Sequence, residues 1–176
     1  MVQENQESVT GVKAQNADST KGTVLFNADS TQKFGVPQVW IAKMKATADQ
    51  AYDAAAALFD ILGTKPTLAQ AYRVVNVAVK LVSLRTGGTP DHDVKVQLGD
   101  GAASEAFSDI APNADIDAFT VGTLTNIPVT GNEVITTGKT VRVQFAISGT
   151  TTTGTGEAEI HITVIPEKAK SDGTIS

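Results

Sequence analysis

The chain has 176 residues, of which 41% are hydrophobic and 19% charged, and its formal net charge is −5. That length makes one good-sized domain, or a smaller domain carrying a long arm. An acidic balance with no Lys/Arg cluster excludes a nucleic-acid surface, and the absence of cysteine excludes a disulfide scaffold, Cys-ligated zinc and a thiol nucleophile.

Residues 1–36 are rich in Gln, Asn, Ser, Thr, Asp and Gly, with one short apolar island at Thr23-Val24-Leu25-Phe26. Such a composition predicts an extended arm outside the core. Its opening, Met1-Val2-Gln3-Glu4-Asn5-Gln6-Glu7, has neither the basic start nor the apolar stretch of a signal peptide. No apolar run approaches the ~20 residues that cross a membrane. A complete chain with this start is expected to begin as a soluble cytoplasmic protein. The arm repeats Asn16-Ala17-Asp18-Ser19-Thr20 as Asn27-Ala28-Asp29-Ser30-Thr31. Two similar turns flanking a short strand account for the repeat. The alternative is that both copies touch similar surfaces on a partner.

From Val36 onward the pattern predicts six or seven strands. Residues 39–45 make the first. The alanines of 47–57 favour a helical turn running into a strand at 58–61. Residues 72–84 predict a long central strand, with Val75, Val77, Val79 and Leu81 on one face. Thr86-Gly87-Gly88-Thr89-Pro90-Asp91 is a turn, and Val94-Lys95-Val96-Gln97-Leu98 is expected to return as the second arm of a hairpin. Residues 102–117 are acidic, contain Pro112 and Asn113, and read as a loop. Phe119-Thr120-Val121 and Ile127-Pro128-Val129 are short strand candidates, the second confined to an edge by Pro128.

Two alternating runs follow. In residues 140–147, Val141, Val143, Phe145 and Ile147 share one face; in 158–164, Ala158, Ile160, Ile162 and Val164 do. Each run has an apolar face for a core and a polar face for the outside. Together they are expected to form a terminal hairpin joined by the Thr/Gly-rich loop 148–156, mobile or ordered only by a neighbour. The fold class predicted is all-β: an antiparallel β-sandwich, jelly-roll-like or immunoglobulin-like, over residues 37–166. The extended N-terminal arm occupies 1–36 and a flexible polar tail 167–176.

Few residues suggest chemistry. Asp91-His92-Asp93 offers an imidazole and carboxylates to a divalent ion, but adjacent strand residues diverge, so a polar turn is the simpler reading. Gly99-Asp100-Gly101, with Glu105 and Asp109, loosely resembles an acidic calcium loop without its alternating Asp spacing. Asp115 and Asp117 extend a solvated negative patch. Gly-x-Gly at 99–101 and 154–156 lacks the following helix of a phosphate cradle. There is no Gly-x-Ser-x-Gly elbow and no evident Ser-His-Asp set. His161 falls on the polar face of its strand, and Trp40 alternates with Ala42 and Met44 as a core residue does. The sequence thus predicts no catalytic, cofactor-binding or metal-binding residues.

The order of segments carries a resemblance. Residues 39–46 and 58–61 come first, then 72–84 with the Gly-Gly-Thr-Pro that follows, then Val94-Lys95-Val96-Gln97-Leu98-Gly99-Asp100-Gly101 and its loop with Ala106-Phe107. Last come Val134-Ile135-Thr136-Thr137-Gly138-Lys139-Thr140-Val141-Arg142-Val143, the Thr/Gly loop and 160–165. In this, residues 37–165 resemble the small β-rich virion proteins of tailed bacteriophages that decorate or cement the capsid or form head fibres. The resemblance implies no catalysis and no cofactor. It implies binding to the major capsid protein or other virion proteins, often as a homotrimer, and a place in the virion after synthesis in the host cytoplasm. No nucleic-acid or membrane partner is expected. Extracellular adhesive modules share the style, so the alternative is a carbohydrate- or surface-binding module on a phage fibre or bacterial surface. A low-charge Thr/Ala/Gly-rich face suits contact with neighbours, and an arm that orders on binding wraps a large area.

Overall fold

β-Branched residues and frequent turn residues favour strands throughout. The computed structural model describes residues 12–18, 22–27, 37–54, 58–60, 71–100, 102, 104, 106–130, 134–136, 138–149 and 153–167, with backbone and pairing alone at 12–18, 22–27 and 58–60. The strands are β1 (Val12–Asp18), β2 (Gly22–Asn27), β3 (Gln38–Ala46), β4 (Leu58–Asp60), β5 (Ala71–Ser83), β6 (Pro90–Gly99), β7 (Phe107–Asp115), β8 (Leu124–Ile127), β9 (Val134–Ile135), β10 (Thr140–Gly149) and β11 (Gly156–Glu167). No helix occurs among the described residues. The helical turn expected over 47–57 is replaced, across 47–54, by bends and a turn. Gln50 exchanges both backbone hydrogen bonds with Ile147, each 2.8 Å, and so gives β10 the groups a helix would have used internally.

The strands form two antiparallel sheets. One has seven strands in the order β1-β2-β3-β11-β5-β8, with β9 also on β5; the other has four, β4-β10-β6-β7. From β3 onward the pairing is nested. β3 lies beside β11, β4 beside β10, β5 beside β8 and β6 beside β7. A long hairpin rolled up in this way is a jelly roll, which decides between the two topologies that the sequence left open.

The nesting corrects two expected hairpins. β5 does not pair with β6, nor β10 with β11; each pair is split between the sheets. The segment 84–89 and the Thr/Gly loop carry the chain across the sandwich. The apolar faces of β10 and β11 therefore meet through the core. Val141, Val143, Phe145, Ile147, Ile160, Ile162 and Val164 are all at most 1% exposed, as their alternation requires. Trp40 is also buried, edge-on to the Tyr72 ring at 5.1 Å between centroids.

Three smaller expectations are corrected. Val75 faces outward at 44% exposure, not inward with Val77, Val79 and Leu81. The partners of Thr163 and Val164 on β5 are Asn76 and Val74, so Val75 is an extra residue in a bulge that flips the alternation. Residues 107–115, read as loop, form β7, an edge strand where Pro112 breaks no ladder. Residues 119–121 are turns, not strand, and β8 ends at Ile127, before Pro128.

At the other margin of the larger sheet, β1 and β2 form an antiparallel hairpin. β2, which holds the Val24-Leu25-Phe26 island, pairs with β3 through Val24↔Ala42 and Leu25↔Ile41. Asn16, Ala17 and Asp18 of the first repeat copy close β1. Most of the second copy, the tail beyond Glu167 and residues 150–152 of the Thr/Gly loop lie outside the described residues.

Candidate functional site

Two polar surfaces stand out. The first is at the start of β6. Alternation sends Asp91 and Asp93 outward and His92 inward, where it is fully buried and stacked against Phe145. The Arg85 backbone N–H donates to His92 Nε2 at 3.1 Å. That nitrogen is therefore the unprotonated one, and Nδ1–H donates to Asp117 Oδ1 at 2.6 Å. Both ring nitrogens are engaged, so His92 is a structural tie between the core and the loop after β7. Adjacent residues diverge, and the Asp91-His92-Asp93 set does not converge on an ion.

A different trio converges. β6 and β7 run antiparallel with Asp93 opposite Asp115, and the turn after β7 folds back. One carboxylate oxygen each of Asp91, Asp115 and Asp117 then lies within 4.8 Å of the others. Asp91 and Asp115 are exposed and Asp117 half-buried. In the sequence Asp91 belongs with His92 and Asp93, while Asp115 and Asp117 belong to a separate negative patch. Burial, then the charge of Asp91, pushes the Asp93 carboxyl above the usual carboxylate range. Burial, followed by Asp93, Asp91 and Asp109, pushes the Tyr52 hydroxyl upward. Tyr52 hydrogen-bonds to Asn113. The acidic calcium-loop candidate is not assembled: Asp100 accepts from the backbone of Ala102 and Ala106, while Asp109 pairs with Lys95 at 3.2 Å and Gln97 at 2.9 Å. Gly101 and Glu105 lie outside the described residues.

Sequence reading missed two residues here. Asp53, at a left-handed φ of 66° that aspartate tolerates, accepts from Gln144 at 2.6 Å and Arg142 at 3.2 Å, strapping its loop to β10. Arg85 is buried with Nη1 3.5 Å from Asp49. The turn position of Asp53 was a usable signal; nothing local marks Arg85.

The second surface is the outer face of the seven-stranded sheet. Lys43, Glu159 and Lys80 lie in register on β3, β11 and β5. Glu159 Oε1 is 3.0 Å from Lys43 and Oε2 is 3.4 Å from Lys80. Burial raises the Glu159 carboxyl, but the two ammoniums outweigh it and hold it below the usual range. Lys45 pairs with Glu157 at 2.9 Å, and Arg73 with Glu167. His161 lies on this face as expected, between Ile41 and Ala78. Val39, Val75, Val82 and Leu124 are exposed apolar residues among these ion pairs.

No protein-family model matches the chain, and no curated protein matches it. Among solved structures it is similar to a chain in the acid-stable capsid structure of the Helicobacter pylori bacteriophage KHP30. That chain is 14% identical, with 76% of this chain and 90% of that chain covered and a TM-score of 0.42. A chain of infectious bursal disease virus, Gt strain, is 12% identical over 88% of this chain and 42% of that chain, with a TM-score of 0.39. TmCBM61, solved with β-1,4-galactotriose, is 12% identical over 89% of this chain and 81% of that chain, with a TM-score of 0.26. At these scores the likenesses carry no argument about function.

Proposed function

We propose that the chain is a non-enzymatic virion structural protein that binds a phage capsid lattice and stabilises it as a decoration or cement protein. The observation that carries this reading is the nested strand order, β3-β11-β5-β8 over β4-β10-β6-β7. Jelly rolls of this kind build viral capsid domains, and also lectins and cupins. Fold alone assigns no function, so the surfaces must separate these uses. The outer face of the larger sheet mixes ion pairs with exposed Val39, Val75, Val82 and Leu124, which suits a broad and mostly polar contact. A sugar-stacking site needs exposed rings. Among the described residues Trp40 and Tyr72 are buried, Phe119 packs on the core, Arg142 covers Phe107 at 3.2 Å, and the half-buried Tyr52 has its hydroxyl bound to Asn113. That weighs against the carbohydrate-binding alternative. Neither histidine is given a catalytic role: His92 has both nitrogens engaged, and His161 has a carboxylate and two ammoniums for neighbours.

The partner in this reading is the major capsid protein or another virion protein, with neither nucleic acid nor membrane involved. The homotrimer implied by the resemblance belongs to the same proposal. Many weak, repeated contacts then add to a large avidity, and residues 1–36 supply a lattice contact. The described core begins at Trp40, so a chain starting at residue 37 is predicted to fold. Purified full-length protein should pellet with capsids lacking it, and the shortened chain should pellet poorly. Full-length protein that ignores capsids but binds immobilised galactan would favour the alternative.

A further inference from the structure

We infer that His161, Glu159 and Lys80 form an acid-sensitive latch on the outer face of the seven-stranded sheet, in which a protonated His161 displaces Lys80 from Glu159. The geometry rests on one oxygen with two suitors. Glu159 Oε2 is 3.4 Å from Lys80 Nζ and 3.6 Å from His161 Nε2, while Oε1 is held by Lys43 at 3.0 Å. His161 Nε2 is buried and has no hydrogen-bond partner. A polar atom out of water without a partner is costly, and once Nε2 carries a proton a shorter approach to Oε2 is the available relief.

Every element around His161 enters the balance. β3 presents Ile41 and Lys43, β5 presents Ala78 and Lys80, and β11 itself carries Glu159 and Thr163. β2 and β8 contain no titratable residue. Burial is the largest influence on the imidazole and favours its neutral form. Glu159 favours the charged form, and Lys80 and Lys43 oppose it. Near neutral pH the imidazole is therefore uncharged and Glu159 bridges the two lysines. On acidification Nε2 takes up a proton and competes for Oε2. Lys80 holds that oxygen by the longer of the two lysine contacts, so it is the one released.

Release changes the surface. Lys80 lies opposite Leu124 on β8 and two residues before Val82. Its freed ammonium, with the new charge on His161, makes this part of the face more positive beside exposed apolar side chains. The latch holds whether or not that face meets a capsid.

The test follows His161 Cε1–H and Lys80 Nζ by NMR through a pH titration of the whole chain. The His161 midpoint should lie below that of an ordinary imidazole. Lys80→Met should raise it, because a competitor and a like charge leave; Glu159→Gln should lower it. In the wild type the Lys80 signal should change with the His161 midpoint, and in His161→Gln it should stay flat over that range. A Lys80 signal that ignores the His161 titration would overturn the latch, as would a midpoint unmoved by Lys80→Met. Lys80 is half-exposed and outside the core, so that variant should fold even if Glu159→Gln does not.

Discussion

Phe145 lies fully buried against the His92 ring, in the gap between the two sheets. Truncating it leaves a cavity that rigid strands on both sides cannot close. Phe145→Ala is expected to cost about 3–5 kcal/mol in urea denaturation, and a near-neutral result would contradict its place in the core. Asp93 makes the opposite kind of prediction. Its folded-state pKa lies above the unfolded value, so the native state holds the proton more tightly. Stability is then lost as pH rises from the ordinary carboxyl value through the folded one. Asp93→Asn should therefore melt at a higher temperature than wild type at pH 7, and the gain should vanish in acid. Equal melting at pH 7 would show that the burial of Asp93 and its crowding by Asp91 have no consequence for stability. His92 shows how much a single position discloses. It shares strand parity with Val94, Val96 and Leu98, so its inward course was legible. Its partners, the Arg85 amide and Asp117, come from separate segments that no local pattern links to it.

At the scale of elements, the crossings between sheets depend on glycine. Gly149 ends β10 at a φ of +94°, and a Cβ there would strike the carbonyl oxygen of Thr89. Gly154 has a φ of +89° but open space around it. Gly154→Ala should cost backbone strain alone, about 1 kcal/mol. Gly149→Ala should cost clearly more, because β10 must also shift where Gly149 opposes Pro90. Thermal melts compare the two, and equal costs would rule out the clash. Strands β3 and β11 were legible residue by residue, and β10 on its inward face; Thr140, Gln144 and Ala146, which alternation sends outward, are buried as well. β5 was legible as a strand but not in its facing, since the bulge at Val75 depends on its partner β11. β7 was not legible: Ile110 and Ala111 are buried in succession, beside register shifts against β6, and Pro112 with Asp109 and Asp115 imitates a loop.

For the whole molecule, composition and alternation were enough to predict an antiparallel sandwich. They could not pair its strands. In a jelly roll the first strand neighbours the last, so neighbours in sequence are the wrong guide, and both expected hairpins proved to be crossings between sheets. The candidate site was legible to a similar degree. The acidic residues were visible, but the grouping of Asp91 with Asp115 and Asp117 needed the β6–β7 pairing. The role proposed for the molecule is mechanical, a brace across a capsid lattice. It is tested most directly by the temperature at which particles release their genome, measured with and without this protein under one buffer. A cement role predicts that particles lacking it assemble but release their genome at a lower temperature, and that adding the purified chain back restores the original value. Particles equally robust without it would contradict that role.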